Sequence, residues 1–455
     1  MNAQIADAAD ERHRSAGFPT AANDPAPGRA ALASRDGQDD RELLRTVAWR
    51  VLPLAGLLYH VAIIDRSTIG FAKLQLVSEL HLTELAFGLG SSLFFIGAVS
   101  FEVPSAIGLT RWGPRRWLSR ILLTWSLVTI VTTFCTSATM FYGLRFLLGV
   151  AEAGAYPGVI YYLSRWFPQS RRVWAVGLIT LGSPIGNSLA AISGGLLLSA
   201  DGYLGIVGWR WIFLVTGTVS AAFGIVTFLF LPNEPANAAF LSPGKRVRLI
   251  EMIRAETGPS RHEAGNFWHT VLNLDVAAYS LLFAAILTSS YGVVYWLPTV
   301  VRSLGASSAQ NGLINAMPWG LSALMLILVP PFLRNERRVF WAMIVASAVA
   351  LICFGCSTIL IDNWQRCIAM MIAMPCMSLL PPSFWWLPSR AFAGERSASA
   401  FAAITTMGTM GGFFAQSLMP LAAQLTGKPI GAMLVPAACN ALVLLALICL
   451  QWRGV

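Results

Sequence analysis

Charge is scarce in this chain. Asp, Glu, Lys and Arg supply 12% of its 455 residues, against roughly 25% in an ordinary soluble domain. Hydrophobic residues make up 56% and mean hydropathy is +0.62, which excludes a water-soluble fold and points to a membrane protein. The patterns that mark enzymes are also missing. No HExxH, GxSxG or paired CxxC occurs, so a metal or nucleophile centre has no constellation to build on, and neither an enzyme nor a cofactor or metal site is expected. Seven cysteines (Cys135, Cys353, Cys356, Cys367, Cys376, Cys439 and Cys449) lie in or beside apolar runs. They read as small packing residues rather than as a disulfide framework. The first 45 residues hold no apolar core of 7 to 15 residues, so they are not read as a secretory signal. Strict alternation of polar and apolar residues is absent too, which leaves helices and not a β-barrel to satisfy the backbone in lipid.

What the chain has is a series of apolar runs of about 20 residues, the length that crosses a ~30 Å hydrocarbon layer. Twelve are read, over 47–72, 84–108, 117–136, 139–164, 172–198, 211–231, 275–301, 309–332, 338–361, 366–391, 397–425 and 428–451. The expectation is an all-α protein of two six-helix halves, 47–231 and 275–455, behind a disordered cytoplasmic tail over 1–46. A cytoplasmic linker over 232–274 joins the halves, and its KRVRLIEMIRAE has the spacing of a short amphipathic helix.

The basic residues give an orientation. Arg111, Arg115, Arg116 and Arg120 fall between spans two and three, Arg165, Arg171 and Arg172 between four and five, and Arg334, Arg337, Arg338, Arg390, Arg396 and Arg453 on the same side. That side is cytoplasmic by the positive-inside rule, with both termini inside. The net charge of +10 is then a topology signal spread over short loops, and no nucleic-acid face is expected. An internal repeat adds a constraint: Thr180, Gly182, Ser183 and Gly186 in span five match Thr406, Gly408, Thr409 and Gly412 in span eleven. Two parallel halves about a central linker describe a rocker-switch transporter with its site near the midplane.

Few charges remain inside the spans, and each is costly there unless it faces a cavity or a partner. Asp65 and Arg66 are adjacent in span one, and Arg145 and Glu152 lie seven residues apart in span four. Seven helical steps put both on one face about 10.5 Å apart along the axis. They are either a packing salt bridge, or an anion-receiving guanidinium beside a proton-carrying acid. His60 is either a relay to Asp65 or a hydrogen-bonded interior residue.

These residues also carry a family resemblance. LRFLLGVAEAGAYPG, YYLSRWFP, IIDRSTIGFA, FFIGAVSFEVPS, YGVVYWLP and SFWWLPS together resemble the anion:cation symporter family of the major facilitator superfamily, over nearly the whole chain from residue 47. The resemblance implies proton-coupled uptake of an organic anion through a bacterial inner membrane, with Asp65 and Glu152 as coupling acids. It makes Arg145 the substrate arginine and Arg66 the partner of the first acid. Tyr291, Trp385, Thr405, Thr409, Ser183 and Asn187 are further candidate substrate contacts. Arg111, Gly113, Arg115 and Arg116 resemble the superfamily's gating loop, although its usual aspartate is Thr110 here.

The chain also departs from the family's pattern. Ile63, Thr68, Ala98 and Thr405 stand where a tyrosine, an asparagine, a tyrosine and an asparagine are usual. The pocket is therefore expected to favour a bulkier, less hydroxylated acid, aromatic acids included, walled by Trp385 and Tyr291. Protons, a small organic anion and lipid are the expected partners of a monomer. Efflux or antiport by the same fold and a non-transporting sensor are the alternatives.

Overall fold

The computed structural model describes residues 27–256, 273–333, 335–392 and 396–452, with side chains from Asp39 onward. Residues 48–455 form one compact unit and residues 1–47 another. Every regular element among the described residues is helical. The first half of the chain contains α1 (Pro27–Glu79), α2 (Glu84–Trp112), α3 (Pro114–Thr132), α4 (Ala138–Glu152), α5 (Ala155–Ser164), α6 (Gln169–Thr180), α7 (Gly182–Ser199) and α8 (Gly208–Phe230). After α9 (Pro243–Glu256) come α10 (Leu274–Ser303), α11 (Ser308–Leu328), α12 (Glu336–Ile359), α13 (Asn363–Ser378), α14 (Leu380–Phe384), α15 (Trp386–Ala391), α16 (Arg396–Thr409), α17 (Gly411–Thr426) and α18 (Leu434–Trp452).

Ten helical stretches among the described residues are long and apolar enough to cross a membrane. The remaining two expected spans are present as helices that fall short for identifiable reasons. In α3, Arg115, Arg116 and Arg120 crowd the first two turns. The other, α16 of 14 residues and α17 of 16 parted at Met410, is weakly apolar at its middle, where residues 405–412 read TTMGTMGG. The tail expectation needs correction, because helix α1 begins at Pro27 where disorder was expected up to residue 46. Residues 1–26 lie outside the described residues.

The expected span 139–164 is not continuous. α4 ends at Glu152, Ala153 is extended, and Gly154 takes φ 79° and ψ 6° before α5 starts. A side chain at Gly154 would run into the Ser105 hydroxyl of α2, which donates to the Ala153 carbonyl at 2.7 Å and accepts from Trp117 Nε1 at 3.0 Å. The break is thus fastened to α2 and α3, and it leaves Glu152 at a helix end. α6 and α7 also part, at Leu181 within the repeated segment.

The repeat has a structural counterpart. Gly182 packs against His60 of α1, and its equivalent Gly408 packs against Phe283 of α10. Where the two halves meet, small residues let backbones approach. Gly195 of α7 lies on Gly312 of α11, Gly88 of α2 on the Gln416 carbonyl and Pro420 of α17, and Gly70 of α1 on the Tyr295 carbonyl of α10. All three contacts sit toward the ends bearing loops 80–83, 200–207 and 304–307, the side that the arginines assign to the outside.

The linker helix α9 forms as the spacing predicts, with Leu249 buried, and the linker is tied to the first half. Arg165 pairs with Glu234 at 2.9 Å. At the end of α9, Glu256 caps α6: its carboxylate accepts from the Ser170 N–H at 3.0 Å and from the Ser170 hydroxyl at 2.9 Å.

Two predictions follow from this framework. Gly154→Ala places a Cβ in the left-handed region and against Ser105, and should lower the free energy of unfolding by at least about 1–2 kcal/mol, as read by equilibrium denaturation in detergent. The Ser170 donors hold the Glu256 carboxyl below its usual range. A depressed carboxylate stabilises fully above its unfolded value, ~4.3, and that contribution is lost as pH falls through the folded value. Amides at the start of α6 should therefore lose protection, relative to intrinsic exchange rates, only below about pH 4; Glu256→Gln should remove the dependence, and Ser170→Ala, which keeps the backbone donor, should only weaken it.

Candidate functional site

Three helices of the first half bring the buried charges together. α1 carries Asp65 and Arg66, and α4 carries Arg145 and Glu152 near its broken end. Asp65, Arg145 and Glu152 are 5%, 3% and 2% exposed, so none is served by bulk water. Arg66 Nε donates to Glu152 Oε1 at 2.6 Å. Asp65 instead accepts from the Thr129 hydroxyl of α3, at 3.2 Å to Oδ1 and 3.4 Å to Oδ2. The expected pairing of Arg66 with the adjacent acid is thereby corrected. Neighbours along a helix point about 100° apart, and Arg66 reaches across to α4 while Asp65 turns toward α3.

Arg145 is not in a salt bridge with Glu152 among the described residues. Both guanidinium groups lie 5.3 Å from the ring of Phe94 in α2, where the ring face attracts cations. Asp65, Glu152 and Tyr295 are within electrostatic reach of Arg145. Its Nε, the second oxygen of Glu152 and the Tyr295 hydroxyl are nevertheless buried without hydrogen bonds. Such orphaned groups cost about 1–3 kcal/mol each, and here the Nε of Arg145 is left unused beside the Tyr295 hydroxyl. That is the chemistry of a site for an acceptor such as a carboxylate.

The aromatic wall comes from both halves. Phe95 of α2 packs edge-on to Tyr291 and Tyr295 of α10, with centroids 5.1 and 6.5 Å away. Tyr291 lies within electrostatic reach of Arg66. Trp385 is not brought to the charges by any described contact: it packs with Phe283, Phe384 and Phe401 at 5.0, 5.4 and 5.8 Å inside the second half. Thr405 and Thr409 bond to the Phe401 and Thr405 carbonyls of their own helix. Asn187 accepts from Ser67 at 2.5 Å, joining α7 to α1, and Ser183 lies beside Tyr59. None of these polar groups touches the four charges in a described contact. His60 has Nδ1 2.7 Å from the Gly56 carbonyl, and since a carbonyl only accepts, that nitrogen carries the proton. No described contact joins His60 to Asp65.

At the junction of α2 and α3, Arg115 in the first turn of α3 donates to the Phe228 carbonyl at 2.5 Å and to the Leu229 carbonyl at 3.1 Å, at the C-terminal end of α8. Gly113, at φ 79°, leaves room for Asn233. Arg111 stacks on its neighbour Trp112 at 5.1 Å, and Arg116 is exposed. Arg115 thus binds a helix end within its own half. Thr129, Phe94 and Tyr295 are site residues that pattern reading missed. A threonine or phenylalanine in an apolar helix carries no signal of its own, whereas Tyr295 stands one turn beyond Tyr291.

Comparison with known proteins gives the family. The Major Facilitator Superfamily model matches residues 55–416, and the chain belongs to that superfamily of membrane transporters. Among its relatives, NicT of Pseudomonas putida, named as a metabolite transport protein, is 35% identical over 404 residues, which is 88% of this chain and 92% of that one. A protein of Agrobacterium vitis named as a tartrate transporter is 31% identical, over 86% and 90% of the two chains. A quinolone resistance transporter of Acinetobacter baumannii is 32% identical, over 86% and 90%. Among solved structures, a bacterial homologue of the lysosomal transporter Spinster, inward-facing and unoccupied, superposes with a TM-score of 0.68 at 15% identity, over 88% and 95%. The chain is a multi-pass membrane transporter and not an enzyme.

Removing the Thr129 hydroxyl isolates the support of Asp65. Thr129→Val should cost about 1–3 kcal/mol of folding stability, and Thr129→Ser should cost much less, both measured by equilibrium unfolding in detergent.

Proposed function

We propose that this protein takes up an organic carboxylate together with protons across a bacterial inner membrane, by alternating access of its two halves. The Arg66–Glu152 contact at 2.6 Å carries the reading. With Asp65 and Glu152 ionised, the four buried charges of the cluster cancel and Arg66 is occupied. Protonating Glu152 breaks the ion pair, frees the Arg66 guanidinium beside Arg145 and gives the cluster a net positive charge. A carboxylate then docks where two guanidinium groups and the Tyr295 hydroxyl converge. Its binding favours the protonated acid, and protonation favours its binding, which is a reciprocal coupling. Loss of the protons inside restores the Arg66–Glu152 pair and expels the anion.

Phe94, Phe95, Tyr291 and Tyr295 supply flat apolar surface beside the arginines, which supports an aromatic acid over a polyhydroxylated one. The quinolone resistance relative favours a second reading, proton antiport, and quinolones themselves join a carboxylate to an aromatic ring system. The direction of flux separates the two.

Proteoliposomes with an acidic exterior and an alkaline lumen provide the test, with labelled aromatic carboxylates offered against tartrate and galactonate. Symport predicts accumulation driven by the gradient, and export down the same gradient would establish antiport. Glu152→Gln should abolish accumulation while counterflow persists. Arg145→Ala should weaken binding by at least ~30-fold, the equivalent of about 2 kcal/mol. Gradient-driven accumulation by Glu152→Gln would refute the coupling role, and unchanged affinity in Arg145→Ala would place the anion site elsewhere.

A further inference from the structure

Among the described residues, one buried cation lies outside the charge cluster. Lys73 of α1 stands eight residues beyond Asp65, about 12 Å further along the helix, and is 2% exposed. Its ammonium meets four groups from both halves of the molecule. In the first half, Nζ is 2.6 Å from Glu84 Oε2 and 5.7 Å from the ring centroid of Phe87, both in α2. In the second half it donates to the Thr299 hydroxyl at 3.1 Å and sits 3.1 Å from the ring centroid of Trp296, both in α10. The place is the closed end of the molecule, where Gly70 presses on the Tyr295 carbonyl and on Pro298.

We infer that Lys73 is the positioning residue that holds this outer mouth shut, by binding Trp296 and Thr299 across the interface between the halves. Glu84 belongs to the same half as Lys73 and moves with it when the mouth opens. It keeps the ammonium charged in both states and does not distinguish them. Trp296 and Thr299 belong to the other half, and their contacts exist only while the mouth is closed. An ammonium held against an aromatic face away from water is bound more tightly than an exposed one, and only such state-specific contacts bias a two-state equilibrium.

The lock is also joined to the charge cluster. Tyr295 faces Arg145, Trp296 is the next residue on α10, and Thr299 lies one turn beyond. A shift of α10 caused by occupancy or protonation around Arg145 is transmitted directly to the residues that hold Lys73.

The inference rests on the proposed alternation of the two halves, and its test needs no substrate, so a wrong substrate or coupling assignment leaves it decidable. Hydrogen exchange followed by mass spectrometry is measured on the full-length protein in lipid nanodiscs. Lys73→Gln and Trp296→Leu should each speed exchange of the closed-end segments 80–90 and 296–308 by about tenfold. Segments 110–118 and 228–236 at the opposite end should become slower as that end closes. The double variant should not exceed Lys73→Gln, because the Trp296 contact is already lost with the ammonium. Trp296→Phe, which keeps an aromatic face, should fall between wild type and Trp296→Leu.

Faster exchange at both ends together would show general destabilisation and overturn the proposal. Additive effects of the two substitutions, or no effect of either, would overturn it as well. If Lys73→Gln does not fold, the graded Trp296 pair decides by the same opposite-end signature.

Discussion

A charged group in a bundle of membrane-spanning helices must be matched by a partner or by a task, and most of this structure can be understood from how each buried charge meets that requirement. Arg66 is matched by Glu152, Lys73 by Glu84 and Asp65 by a hydroxyl. Arg145 has ring and carboxylate neighbours but keeps its Nε unbonded. The incompletely matched cation therefore stands beside a pair that protonation can open. Replacing such a cluster with apolar residues would often favour stability, which makes its retention easier to explain by ligand and proton binding than by folding.

The scarcity of charge is what made this much visible beforehand. Asp65, Arg66, Arg145 and Glu152 stand out because their surroundings are apolar, and the arginine-rich loops and the linker helix were readable for the same reason. Pairing was not readable. Arg66 and Glu152 are 86 residues apart, and no local periodicity says which acid a guanidinium on another helix will meet. Adjacency suggested Asp65, whereas the packing angle of α1 against α4 decided for Glu152.

Two further misses have local causes. The apolar run of the first span stops near residue 72 while its helix runs on to Glu79, so Lys73 falls just outside the expected span and is nonetheless enclosed by groups from both halves. The break after Glu152 hides in AEAGAYPG, a glycine-containing run like many that pass through intact helices. Only the Ser105 contacts with Ala153 and Gly154 show why the chain turns there. Tertiary contact, rather than helix propensity, set both features.

The repeat offers the firmest bridge from sequence to mechanism. Span five corresponds to span eleven, and with two equivalent halves span two corresponds to span eight. The contacts between halves follow that pairing: α7 meets α11 through Gly195 and Gly312, and α2 meets α17 through Gly88 and Gln416. Equivalent helices thus form both seams, and each seam has so little side-chain bulk that the halves can separate without disrupting a core. The first half holds all four charges of the cluster, and the second contributes Tyr291, Tyr295, Trp296 and Thr299 on one continuous helix. A single helix that touches the cluster with one turn and Lys73 with the next is the mechanical link that the proposed alternating access requires.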